Sequence, residues 1–242
     1  MTQPQKLTIK QAIARAKTAI KRGETTIALQ LYNTVLQHQP NHPVAKKGLR
    51  KLQKEFPGNQ TMQMPAGNPS QHQIEALVSL YHTGQMAKTE QACQELLQTF
   101  PQAVFVINVL GVTLLEQGKP REALQAFNEA IALKPDYAEA YSNRGNALGD
   151  LGRVKEALQS YEKAIHFNPD YADAYSNHGN ALHRLGRLQE ALKSCEMAIG
   201  LRPDYAEAYN NGGNALRDLG QLPEALQSYE KAIQLRPDYA CL

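Results

Sequence analysis

Between Ala138 and Leu151 the small or apolar residues Tyr141, Gly145, Leu148 and Leu151 fall three or four positions apart, the spacing of one stripe on a helix. Gly152 follows the stripe and predicts its end, because glycine takes the left-handed backbone region without a side-chain clash. From Lys155 to Phe167 the pattern restarts on Ala157, Tyr161, Ala164 and Ile165, and Asn168-Pro169 closes it, since a residue before proline avoids the helical conformation. One unit is therefore two antiparallel helices. The unit then recurs: 34 residues on, the same types stand at Tyr175, Gly179, Leu182, Gly186, Ala191, Ala198, Ile199 and Pro203. After a second such step they stand at Tyr209, Gly213, Leu216, Gly220, Ala225, Ala232, Ile233 and Pro237.

A fixed period of this length predicts an array of stacked helix pairs. A single pair cannot bury its stripe, so neighbours must cover it and stability spreads along the array. Gly145 and Ala157 are expected to let the paired helices approach, and Ala164 to leave room for the next unit. The stretch from Gly111 to Gly118-Lys119 distantly resembles a phosphate-binding loop. Its glycines are too far apart, and Pro120 stands where that loop needs a hydroxyl.

Tyr141, Gly145, Leu148, Ala157, Tyr161, Ala164 and Pro169 resemble the pattern of the tetratricopeptide repeat family. The resemblance implies an all-α fold, a right-handed superhelical solenoid of helix-turn-helix repeats whose first helices line a concave face that carries recognition. One family position departs: Arg144, His178 and Gly212 stand where a leucine is usual. Arg144 is expected to lay its methylenes along the interface and send its charge to water.

Taken in order, residues 1–56 read as a divergent repeat-like helix pair over Ile9 to His42, with Gly23, Ala28, Tyr32 and Pro40 in step. A covering helix comes next, with Val44, Leu49, Leu52 and Phe56 on its apolar side. The acid-free stretch from Met1 to Gly23 would also suit a transit peptide, but the repeat spacing outweighs that reading. Residues 57–69, PGNQTMQMPAGNP, show no stripe and predict a flexible linker. The array occupies 70–242: a worn repeat at 70–103, with Leu77 in the glycine's place and Thr89 in the alanine's, then 104–137, 138–171, 172–205 and 206–239. The first helix of 104–137, VFVINVLGVTLL, is the most apolar, which suggests burial against the worn repeat.

Charge divides the chain in the same way. Residues 1–69 hold 11 Lys and Arg against 2 acids, while 70–242 hold 15 against 21. The three cysteines are scattered, Cys93 and Cys195 falling at core positions, so neither a disulfide framework nor a metal knuckle is suggested. A reducing, cytoplasmic setting is expected. No apolar run approaches the ~20 residues of a membrane span.

Candidate recognition chemistry lies on the first helices. Asn143 and Asn146, Asn177 and Asn180, and Asn211 and Asn214 form pairs three apart, each pair on one helical face. An amide offers donors and an acceptor to the backbone of an extended peptide whatever its sequence. Asn143, Asn177 and Asn211 resemble the asparagines of the O-linked N-acetylglucosamine transferase repeats, which implies contact with a substrate backbone. Glu139, Asp173 and Glu207 precede them by four residues, with Arg184 and Arg217 farther along, so a neutral or basic protein segment is the expected partner. His178 and His183 are five apart and lack metal-ligand spacing. No catalytic constellation stands out, so no enzyme and no cofactor are expected within these residues, and any catalytic domain would lie outside them. The array's net acidity and its lack of tryptophan argue against nucleic acid. The alternative is the substrate-recognition arm of a larger glycosyltransferase or sulfotransferase.

The last second helix, Pro223 to Leu235, copies the stripe Ala225, Tyr229, Ala232 and Ile233 from internal units, where a following helix would cover it. This predicts either a longer array or self-association through the C-terminal repeat.

Overall fold

The computed structural model describes residues 9–21, 28, 31–32, 35–36, 39, 42–55 and 68–237. Its contacts divide the chain into two units, Met1–Ala66 and Gly67–Leu242. Residues 57–67 of the expected linker, like Phe56, lie outside the described residues, as do the last five of the chain.

The first unit contains α1 (Ile9–Lys21) and α2 (Pro43–Glu55), with helical residues at Ala28, Leu31, Tyr32, Val35 and Leu36 between them. Ala12, Ala16, Ala19, Ala28, Tyr32, Val35, Ala45 and Leu52 form its core. The buried face of α2 differs from the one the sequence suggests. Ala45 and Leu52 are buried, Leu49 is half-buried, and Val44 is 40% exposed. The small residue turns inward because α2 lies against Tyr32: a Cβ on Gly48 would stand 2.4 Å from the Tyr32 ring.

The second unit is the array: α3 (Gln71–His82) and α4 (Met86–Thr99), α5 (Val104–Glu116) and α6 (Pro120–Leu133), α7 (Ala138–Asp150) and α8 (Val154–Phe167), α9 (Ala172–Arg184) and α10 (Leu188–Leu201), α11 (Ala206–Asp218) and α12 (Leu222–Leu235). The described residues contain no strand, and the fold is the expected all-α repeat solenoid. Each first helix ends at a glycine with φ between 71° and 80°: Gly84, Gly118, Gly152, Gly186 and Gly220. At Gly152 the chain turns back, and the Arg153 N–H donates to the Leu148 carbonyl at 2.8 Å, satisfying a helix-end acceptor.

Gly145 is needed because Tyr161 packs onto it, a Cβ there standing 2.4 Å from the ring; Gly111 receives Phe127 in the same way. The worn repeat solves the packing problem by exchange. Leu77 replaces the glycine, Cys93 replaces the aromatic, and both are buried. Leu77, Cys93, Ala103 and Val106 form one cluster with Val109 and Leu110 packed against it, so the apolar α5 is buried against this repeat.

Arg144 departs from expectation. Its Nε donates to Ser160 Oγ at 3.1 Å and its guanidinium lies 5.0 Å from the Tyr141 ring centroid, so the charge is held inside the helix pair rather than sent to water. Burial lowers its pKa, against the pull of Tyr141 and Glu156. His178 meets Ser194 at 2.9 Å in the equivalent place. A polar pair thus replaces the usual leucine, and its buried hydroxyls are satisfied.

Candidate functional site

The first helices α7, α9 and α11 stand side by side, α9 touching both neighbours. Because each starts at the same point of the repeat, like positions fall into rows. The asparagine rows take part in the packing between repeats. Asn143 Nδ2 donates to Asn108 Oδ1 at 3.1 Å, and Asn211 Nδ2 donates to Ser176 Oγ at 3.1 Å, the same contact two repeats later. Asn177 instead donates to Asn146 Oδ1 at 3.1 Å, an oxygen that also accepts from the Tyr161 hydroxyl at 2.8 Å. Tyr229 holds Asn214 in the same fashion at 2.8 Å. Asn180 is exposed and makes no hydrogen bond to another described residue.

Between these helices lies a cavity of about 290 Å³ lined by Asn146, Asn177, Asn180, Arg184 and Glu207 together with Asp150 and Tyr161. Five of the residues expected from the sequence are thus brought together in one place. Asn143, Glu139, Asp173, Asn214 and Arg217 lie outside its lining. Asn211 is also outside it and is only 8% exposed, its amide turned into the helix interface.

The charged groups are arranged by partners that the first helices alone do not reveal. Arg202, at the end of α10, grips Asp173 with Nη1 to Oδ1 at 3.1 Å and Nη2 to Oδ2 at 2.8 Å. Burial pushes the Asp173 carboxyl up, but hydrogen bonds from Arg202 and Tyr205 outweigh it and hold the group below its ordinary value. Arg202 was missed because it lies in a turn between helices; the visible signal was the basic residues Lys134, Arg202 and Arg236 recurring at that turn. Glu207 behaves oppositely. Burial raises its pKa, the Asp173 charge raises it further, and Arg236 opposes both. Arg184 Nη1 reaches the Gly149 carbonyl at 3.4 Å, which places its charge at the rim. Arg217 pairs with Asp218 at 2.9 Å, and Asp218 also meets His183 at 2.8 Å.

Chemically the cavity offers amide donors and acceptors, a phenol, one guanidinium and carboxylates. That set can hold the main chain and polar side chains of a peptide. No group of three His, Cys, Asp or Glu among the described residues is placed to hold a metal ion, and no described helix is long and apolar enough to cross a membrane.

Family profiles of the tetratricopeptide repeat match residues 111–152, 145–186 and 170–238, together more than half of the chain. No curated protein sequence matches it. Among solved structures, TTC0263, a thermophilic TPR protein of Thermus thermophilus, is 26% identical with a TM-score of 0.62, over 71% of this chain and 97% of that one. MamA is also 26% identical, with a TM-score of 0.57 over 68% of this chain and 96% of that one. YrrB, described as a TPR protein with an unusual peptide-binding site, shares the fold at 21% identity and a TM-score of 0.54, over 76% of this chain and 92% of that one. With the 34-residue period, the glycine-ended helix pairs and these matches together, the chain belongs to the tetratricopeptide repeat family, whose arrays build protein-interaction scaffolds.

Proposed function

We propose that the face formed by the first helices of residues 104–239 binds an extended, neutral or basic segment of a partner protein. The observation that carries the reading is the cavity where Asn146, Asn177 and Asn180 meet Arg184 and Glu207. Asn180 contributes an amide not spent within the fold, and Asn177 is held in orientation by Asn146, which Tyr161 anchors in turn. Preorganised amides lose little side-chain entropy on binding, so they favour a backbone ligand without demanding its sequence. The charge preference is narrower than a count of acids suggests. Arg202 neutralises Asp173, which leaves Glu139 on the exposed surface and Asp150 and Glu207 in the cavity to attract a cation beside the Arg184 guanidinium.

The test compares proteins captured by the wild type, by the Asn143→Ala, Asn177→Ala, Asn211→Ala triple variant and by Asn180→Ala. Loss of the same partners in both variants is expected. Because Asn180 takes no part in inter-repeat bonding, its loss separates recognition from packing. Unchanged capture by both, with the helix content preserved, would overturn the proposal.

A further inference from the structure

Tyr32 stands to the first unit as Tyr161 stands to the array: Gly23, Ala28, Tyr32 and Pro40 each lie 129 residues before Gly152, Ala157, Tyr161 and Pro169. Carried through the same offset, five lining positions of the array cavity fall on a second cleft. That cleft has about 500 Å³ and is lined by Lys17, Ile20, Tyr32, Val44, Lys47, Gly48 and Lys51. Lys17 replaces Asn146, Ile20 replaces Gly149, Gly48 replaces Asn177 and Lys51 replaces Asn180, and Val44 and Lys47 are added from α2. The geometry is shared and the chemistry is inverted. Amides give way to an apolar floor with an ammonium rim.

We propose that the Met1–Ala66 unit carries a ligand groove of its own, separate from that of the array, which takes an acidic segment of a partner protein with apolar side chains. Lys17 on α1 and Lys47 on α2 are exposed and make no ion pair with another described residue. Lys47 and Lys51 lie one turn apart on α2, a spacing that matches carboxylates repeated along a peptide. Val44, 40% exposed and lining the cleft with Tyr32, supplies apolar surface that the fold itself does not cover. Gly48 keeps the cleft open, since any side chain there would meet Tyr32 at 2.4 Å. With 11 Lys and Arg against 2 acids in residues 1–69, the surrounding field also favours an anionic partner. An acyl anion would place one charge at the rim, whereas lysines on two helices suit a segment with several.

The chain contains no tryptophan, so a short amphipathic peptide of leucine and glutamate with a single tryptophan reports binding by its own fluorescence. The full chain is titrated with this peptide, with a scrambled peptide of the same composition, and with dodecanoate as competitor. Saturable binding of the patterned peptide is expected. It weakens about tenfold in Val44→Asp and in Lys47→Glu, weakens with added salt, and is unchanged in Asn180→Ala. Val44 and Lys47 are exposed, so neither variant threatens the fold, and circular dichroism checks this. Equal binding of the scrambled peptide would reduce the groove to a diffuse positive field and overturn the proposal. So would insensitivity to Val44→Asp, or dodecanoate binding in the absence of peptide binding.

Discussion

Leu158 and Leu226 occupy the same position of the repeat, two units apart, and differ in whether another first helix packs over them. Leu158 on α8 is 6% exposed because the next first helix lies over it, whereas Leu226 on α12 is 59% exposed. Replacing Leu158 by alanine removes nearly a whole buried side chain and leaves a cavity, a loss of about 2–5 kcal/mol. At Leu226 less than half of the side chain is covered and water fills the space, so the expected loss is about 1 kcal/mol or less, scaled from ~1.5–3 kcal/mol for full burial. Hydrogen exchange of the amides in α8 and α12 reads the two losses locally, which suits an array whose repeats need not unfold together. A loss at Leu226 as large as at Leu158, in dilute monomer, would show that the end face is covered and refute the reasoning.

The same face carries Leu222 at 62% exposure and Ile233 at 38%, while Ala225 and Ala232 are buried against α11 and Tyr229 is half-buried. The open stripe is therefore narrower than the sequence suggests, and leucines rather than alanines form it. If second copies meet through it, the Leu226→Ala loss grows with protein concentration. Sedimentation that shows a monomer throughout the same range excludes that contact.

Gly145→Ala is expected to destabilise by about 1–3 kcal/mol through the clash with Tyr161; Gly152→Ala, with no atom within 4 Å of its Cβ, loses only the ~1–2 kcal/mol of a strained positive φ, and thermal melts rank the pair. Asp173 has a folded pKa below its ordinary 3.8, so its ion pair with Arg202 contributes stability above that pH and loses it as pH falls through the folded value. Asp173→Asn should therefore flatten the acid limb of α9 protection, and an unchanged limb would rule the pair out as its source. Burial raises the Cys93 and Cys195 thiols to about 12, so in Cys241→Ser protein neither should react with a thiol reagent at neutral pH until the chain unfolds.

Period and polarity made most of the architecture legible. Gly152 and its copies announced each helix end, and the Gly145 position announced a close approach, because backbone demands of this kind leave few residue choices. Packing partners were harder to read. Arg144 reads as methylenes along the interface with a charge in water, and its acceptor Ser160 lies sixteen positions on inside the pair. Arg202 and Asp173 are 29 residues apart across a turn, and nothing in a helical stripe reports a contact of that kind. The cavity was half legible: its asparagines and Glu207 follow from the rows, but Tyr161 read only as core, since its buried ring hides the hydroxyl that holds Asn146.

The asparagine rows show how one residue type can bond neighbouring helices and still leave polar atoms open. An amide has two donor hydrogens and one acceptor oxygen. Asn177 spends one hydrogen on Asn146 and retains the other with its oxygen; Asn211 spends one on Ser176 and is buried, while Asn143 makes the equivalent bond to Asn108 and stays half-buried. The difference lies in the previous repeat. There the Tyr161 phenol fixes the Asn146 oxygen where Asn177 can reach it, and that bond places Asn177 in the cavity. One repeat on, Cys195 stands in the place of Tyr161 and has no phenol to offer. Asn180 is left unanchored and exposed, and Asn211 turns instead to the Ser176 hydroxyl inside the helix interface. Identical sequence positions thus acquire different hydrogen-bond partners through a core residue one repeat away. A repeat array can vary the polar surface of its first helices in this way while its backbone pattern stays fixed.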